Sequence, residues 1–234
     1  MASTTKVIAS GRLAAGNGFR FGSGVPKQYS LLHGKPVLQH SLERLAASLP
    51  LAMTFVVLAK DDHWFDAAIP PQSGVTVLRC GGESRAASIR NALARLSDLA
   101  DDHWIVVHDA VRPCVAPESL SRLQSELADD RVGGLLAIPV SGPLKRACDD
   151  GRTVHTEAGE GLWRAQTPQM FRHGVLRNAF ARPGAEHSPD EADAVTAMGL
   201  KPRLIPGTAT NIKITFPEDL ILAAAILSAE RAPT

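Results

Sequence analysis

Short apolar runs alternate with longer amphipathic stretches, and this alternation restricts the fold more than any other feature of the chain. Val56, Val57 and Leu58 form one run; Val75, Val77 and Leu78 form the next, followed by residues 105–107 and 135–138. Runs this short and rich in branched residues read as strands buried on both faces. Between them, Leu38, Leu42, Leu45 and Leu49 recur at helical steps, as do Ile89, Leu93 and Leu96, and Leu220, Ala224 and Leu227. Such steps place one apolar stripe on each helix. Pro36, Pro117 and Pro217 each suit a first helical turn, where a missing N–H costs little. Repeated strand–helix units predict an α/β fold, a mostly parallel, twisted sheet with helices on both faces. Right-handed crossovers then set the C-terminal ends of the strands along one edge, where ligands bind. Residues 140–165 break the rhythm. They are polar, carry Gly142, Pro143, Gly151, Gly159 and Gly161, and read as an extended arm leaving the sheet.

A length of 234 residues permits one large α/β domain or two small ones. The net charge of +1 excludes a strongly basic nucleic-acid binder. The cysteines, Cys80, Cys114 and Cys148, are too widely spaced for a zinc knuckle, so structural thiols in a reducing cytoplasm are expected. No secretory leader is evident. The longest apolar stretches, 51–59 and 220–227, fall far short of the roughly 20 residues of a membrane span.

Six segments carry residue types suited to chemistry. The first, Leu13 to Gly22 followed by Pro26-Lys27-Gln28-Tyr29, has glycines that let backbone N–H groups approach phosphate oxygens, with Arg20 and Lys27 as cations. Its glycine spacing fits neither the P-loop nor the dinucleotide fingerprint, and a plain surface turn is the alternative. In the second, Gly81-Gly82-Glu83-Ser84-Arg85-Ala86-Ala87-Ser88, two glycines at a strand end and a helical serine suit a base and ribose; an ordinary turn capped by Ser84 suits the pattern equally. The third, Val107-His108-Asp109-Ala110-Val111-Arg112-Pro113, puts an acid at a strand's C-terminal end, fit to hold Mg²⁺ against phosphates or to cap a turn. The fourth is Gln166-Thr167-Pro168-Gln169 and the fifth Asp190-Glu191-Ala192. In the sixth, Asn211-Ile212-Lys213-Ile214-Thr215, a lysine stands inside what reads as an apolar strand. Burying an ammonium needs an anion nearby, unless Lys213 points to water from an edge.

Taken together and in this order, these segments resemble the 2-C-methyl-D-erythritol 4-phosphate cytidylyltransferase family, whose motifs are shared by the ribitol-5-phosphate cytidylyltransferases. The resemblance runs from about Leu13 to about Leu227. It implies a single Rossmann-like domain over residues 1–234 whose arm, about 140–162, makes a homodimer. It implies CMP transfer from CTP to 2-C-methyl-D-erythritol 4-phosphate with loss of pyrophosphate, a step of isoprenoid precursor synthesis, with another polyol phosphate such as ribitol 5-phosphate as the alternative acceptor. By matching position, Ala14, Ala15, Gly16 and Gly18 would line the triphosphate, with Arg20 and Lys27 on its phosphates. Gly82 and Ser88 would contact the cytidine, and Asp109 would face Mg²⁺. Lys213 would hold the acceptor's phosphate, with Thr167 and Asp190 also on the acceptor side. Arg20, Lys27 and Lys213 would be catalytic. Neither nucleic acid nor membrane is an implied partner.

Four departures stand out. Ser10-Gly11-Arg12-Leu13 replaces the family's apolar strand leading into Pro-Ala-Ala-Gly. Gly142-Pro143 replaces an Asp-Thr, Gly159 falls where the arm's phosphate-binding arginine is expected, and Pro189 replaces a threonine. Three of the four lie on the acceptor side, where Arg152 and Arg164 are the nearby cations. They point to weakened methylerythritol phosphate use or a different polyol phosphate. A nucleotidyltransferase for another sugar phosphate and a CTP-binding homologue without catalysis are the competing readings.

Overall fold

A computed structural model describes residues 5–10, 24–71 and 74–231. Its elements in chain order are β1 (Thr5–Ser10), β2 (Leu31–Leu32), β3 (Lys35–Pro36), α1 (Val37–Ser48), β4 (Leu51–Val57), α2 (Phe65–Ala68), β5 (Val75–Leu78), α3 (Arg85–Ala94) and β6 (Trp104–Asp109). There follow α4 (Pro117–Leu127), β7 (Gly133–Pro139), β8 (Leu144–Ala147), β9 (Thr153–Glu157), β10 (Trp163–Arg172), α5 (His173–Ala181), α6 (Glu191–Thr196), β11 (Arg203–Pro206) and α7 (Glu218–Arg231).

Seven strands form one sheet in the order β11-β7-β10-β6-β1-β4-β5. All neighbours are parallel except β10, which runs antiparallel to both β6 and β7. Every residue of β6 is buried. Its side chains alternate between faces, as the two-residue period of a strand requires. Ile105 and Val107 pack with Phe55, Val57 and Phe171 against α3, α5 and α6. Trp104 and Val106 pack with Leu136, Met170 and Ile205 against α4 and the end of α1. Both faces being covered explains why the strands read as continuous apolar runs.

The helices start much as their sequences ask. Pro117 occupies the first turn of α4, and the Ser84 side chain accepts from Ala87 N–H (3.0 Å) to cap α3. Pro36 lies in β3, one residue before α1, rather than inside the helix. Residues 211–215 were expected to form a strand; they run instead as an irregular segment between β11 and α7. Ile212 and Ile214 alternate around Lys213, but among the described residues no strand pairs with them. Ile214 N–H instead donates to Val111 O (2.9 Å), which ties the segment to the turn after β6.

The excursion between β7 and β10 is a two-stranded antiparallel hairpin, β8 on β9, exposed over nearly its whole length. The register of β1 places Ser10 between Val57 of β4 and Asp109 of β6. The chain thus leaves β1 at the rim where Asp109 stands, which is the topological position for a ligand site.

Candidate active site

Asp109 ends β6 and is 2% exposed. Three cations converge on it: Arg85, the Arg112 guanidinium at 3.2 Å and the Lys213 ammonium at 3.1 Å. Burial alone would push its carboxyl up. Arg85, Lys213 and Arg112 overcome that and hold it well below the usual carboxylate range. Asp109 is therefore ionised at any physiological pH. Its position is set from both sides. The Asp109 backbone N–H donates to Thr167 Oγ1 (3.0 Å) on β10. Thr167 in turn donates to His108 Nδ1 (3.1 Å), because His108 Nε2 donates to Arg112 O (3.1 Å). Burial pushes the His108 imidazole down to about 4, so this relay holds a neutral ring.

Arg85 is the hub behind Asp109. Standing at the first turn of α3, it also forks onto the Glu191 carboxylate (2.9 and 2.7 Å), which is fully buried at the start of α6. Burial pushes the Glu191 carboxyl up, against the pull of Arg85. The start of α6 is pinned again where Ala192 N–H donates to Gln169 Oε1 (2.8 Å). Further along β10, Gln166 donates to Thr208 O (2.8 Å), and Asn211 donates to Thr167 O (2.9 Å). Arg112 donates to Asn211 O (2.8 Å). These bonds moor the segment carrying Lys213 to the end of β6.

The structure places the expected residues unequally. Lys213 reaches Asp109 while part of its side chain stays open to solvent. Lys27, on a 3-10 turn over Lys27–Tyr29, donates to Ile214 O (3.0 Å), beside Lys213. That turn is anchored by buried Tyr29, whose hydroxyl donates to Asp62 Oδ2 (2.8 Å). Ala14, Ala15, Gly16, Gly18 and Arg20 lie outside the described residues, as does the Gly11-Arg12 departure. Ser88 is buried; it accepts from Gly82 N–H (3.0 Å) and donates to Ser84 O (2.9 Å). In this conformation Ser88 shapes the Gly81–Gly82 turn instead of facing open space. Asp190 caps α6 by accepting from Asp193 N–H (2.8 Å), and Thr167 is buried in the His108 relay. Of the expected acceptor residues, Lys213 alone lines the adjoining hollow.

That hollow measures about 240 Å³ and is lined by Arg112, Arg164, Gln166, Asn211, Ile212 and Lys213 among others. Its excess of cations suits an anionic ligand. Sequence reading passed over Arg85, Arg112, Glu191 and His108 as site residues, although each sits inside a segment that drew attention. The available signal was their motif neighbourhood; their partnership, 106 residues apart for Arg85 and Glu191, was not visible.

Among the described residues no three His, Cys, Asp or Glu side chains converge as a metal cage. Mg²⁺ does not need one, since one or two carboxylates plus substrate phosphates commonly hold it. Asp109 offers an ionised carboxylate at the rim, but Arg85, Arg112 and Lys213 already hold both its oxygens, and Glu191 is held by Arg85. The residues present fit a metal that arrives with a triphosphate, because three nearby cations disfavour a bare divalent ion.

Comparison with known proteins reports on the whole chain. Residues 9–229 match the family model described as 2-C-methyl-D-erythritol 4-phosphate cytidylyltransferase. The enzyme of that name from Laribacter hongkongensis is 50% identical over 220 residues, covering 94% of this chain and 95% of its own. Its namesake from Dechloromonas aromatica is 48% identical, covering 93% and 96%. The crystal structure of the Francisella tularensis enzyme superposes with a TM-score of 0.83 at 30% identity, covering 96% of this chain and all of its own.

Proposed function

This chain belongs to the 2-C-methyl-D-erythritol 4-phosphate cytidylyltransferase family, and from that premise we infer that it joins CMP from CTP to 2-C-methyl-D-erythritol 4-phosphate. The products are 4-diphosphocytidyl-2-C-methyl-D-erythritol and pyrophosphate. One observation carries the reading at the level of geometry: Asp109, Arg112, Lys213 and the Lys27 turn meet at the C-terminal rim of the sheet.

In the reaction an oxygen of the acceptor's phosphate attacks the α-phosphorus of CTP. A new P–O bond forms, the bond to the bridging oxygen breaks, and pyrophosphate carries away the electron pair. Such a reaction asks the protein mainly for positioning and preorganised positive charge. Arg20 and Lys27 are assigned to the triphosphate, with Ala14, Ala15, Gly16 and Gly18 supplying backbone N–H groups. Gly82 lies on the cytidine side, with Ser88 holding its turn. Lys213 is assigned to the acceptor's phosphate, where a cation offsets the repulsion between two anions. Asp109 would hold Mg²⁺ together with the triphosphate, and the metal when bound neutralises phosphate charge. Arg85 and Glu191 keep Asp109 in place.

We further propose a homodimer made through the hairpin arm, at about residues 140–162. The support is its exposure: Leu144, Val154, Leu162 and Trp163 lie at the surface on a hairpin without internal cover. A reducing, cytoplasmic setting is proposed from the three unpaired thiols. Among the described residues no helix is long and apolar enough to cross a membrane.

The test is pyrophosphate release with CTP, Mg²⁺ and a panel of polyol phosphates including ribitol 5-phosphate. Methylerythritol phosphate is expected to be turned over fastest, and Lys27→Ala to lower kcat by about 100-fold or more. Preference for ribitol 5-phosphate, or full activity in the Lys27 variant, would refute the assignment.

A further inference from the structure

Among the described residues, three cations line the hollow beside Lys213, and their electrostatic situations differ. Arg112 and Lys213 both lie against Asp109, at 3.2 and 3.1 Å, so part of their charge is already answered by a carboxylate. The Arg164 side chain is exposed, and neither a hydrogen bond nor an ion pair joins that side chain to any described residue. Its charge is felt by Arg112, whose guanidinium is disfavoured first by burial and also by Arg85 and Arg164. No acidic side chain lines the hollow. A concave site with one unanswered guanidinium at its wall and two cations behind it suits a dianion. A guanidinium, moreover, offers a planar fork that matches phosphate oxygens in pairs.

Backbone geometry fixes where such a cation can come from. Arg164 sits near the base of the arm on β10, in register with Ile138 of β7. Across that base lies Gly159. A Cβ built there would stand 2.6 Å from Gly142 O and 3.1 Å from Val140 O, so no side chain fits at 159 in this backbone. Arg152, the other arginine considered on the arm, turns outward at the hairpin tip and pairs with Asp150 at 3.2 Å. We propose that Arg164 is an acceptor-binding residue, receiving the acceptor's phosphate group at the mouth of the hollow while Arg112 and Lys213 back it. This rests on the cytidylyltransferase reading above and adds to it the residue that recognises the second substrate.

Because the Arg164 side chain is exposed and bonded to no described residue, Arg164→Ala is expected to fold normally. Steady-state kinetics should then show KM for methylerythritol phosphate rising about 10- to 100-fold, the loss expected for a charged hydrogen bond. KM for CTP should not change, and kcat at saturating acceptor should stay within about twofold. Arg164→Lys should recover part of the loss, and Arg152→Ala should match wild type. Inorganic phosphate is a probe that needs no turnover: its binding to wild type, measured by calorimetry with CTP present, should weaken about tenfold or more in Arg164→Ala. An unchanged acceptor KM, an equal rise in KM for CTP, a loss in Arg152→Ala in place of Arg164→Ala, or unchanged phosphate binding overturns the proposal. If wild type releases no pyrophosphate with any polyol phosphate, the enzymatic reading fails on its own, and phosphate calorimetry still decides whether Arg164 is an anion site.

Discussion

Asp109 and the hairpin arm hold similar charges in opposite settings. Around Asp109, Arg112 and Lys213 stand 3.1–3.2 Å away and Glu191 is grasped by Arg85, all with the acids out of reach of water. On the arm, Arg146 meets Glu157 at 2.6 Å and Arg152 meets Asp150 at 3.2 Å, with every partner well exposed. Short contacts occur in both places, yet the stronger dependence belongs at Asp109. Burial, not distance, decides what a charge pair is worth, because water and salt screen the exposed ones. A buried network also has more to lose than to gain. Its charges are stable only as a set, and removing one member strands the others.

The largest expected effect breaks that set. Arg85→Met leaves Glu191 and Asp109 buried with their shared partner gone, and should cost about 3–5 kcal/mol of folding free energy, read as a lower urea midpoint. A loss no larger than that of an arm variant would mean the network is not the stabilising unit described here.

The next effect depends on acid. Burial lowers His108 from an ordinary 6.5 to about 4 in the folded state. The unfolded chain therefore binds a proton at higher pH than the folded one does. The stability this histidine contributes is fully present above pH 6.5 and is lost as pH falls from there through about 4. The shift corresponds to about 3 kcal/mol. Equilibrium unfolding of wild type across that window should show the fall, and His108→Gln should flatten it. Equal slopes in the two proteins would place the proton uptake elsewhere.

The smallest effect sharpens the other side of the comparison. Arg146→Ala on the arm removes a short ion pair, and the melting temperature of the chain is expected to stay where it was. A clear drop would place Arg146 inside the proposed dimer interface, where its charge pair would be buried.

Much of the fold was legible because each strand repeats one local rule. Strands β4 to β7 announce themselves by apolar runs, and α1, α3 and α7 by their stripes. The arm was legible by what it lacks. Strand β10 was not, because Arg164-Ala165-Gln166-Thr167-Pro168-Gln169 obeys no local period; what makes it a strand is the pair of neighbours it runs against, β6 and β7. The segment around Lys213 failed in the opposite sense. Ile212 and Ile214 imitate a strand, and only the missing neighbour shows that they are not one. In the site, Asp109 and Lys213 were legible as residue types in telling places. Thr167 was picked out, but its place in a relay with His108 was not, since that depends on chain segments 59 residues apart meeting at hydrogen-bonding distance.

What the sequence alone determined, then, is the class of fold, the family and the list of charged and glycine-rich segments, since these follow from periodicity and from residue types at short spacing. Tertiary structure decided which charges answer one another. It gave Asp109 three cations, committed Glu191 to Arg85, and left Arg164 facing an open hollow. Charge pairing acts through space and through local dielectric, and neither can be read along a chain.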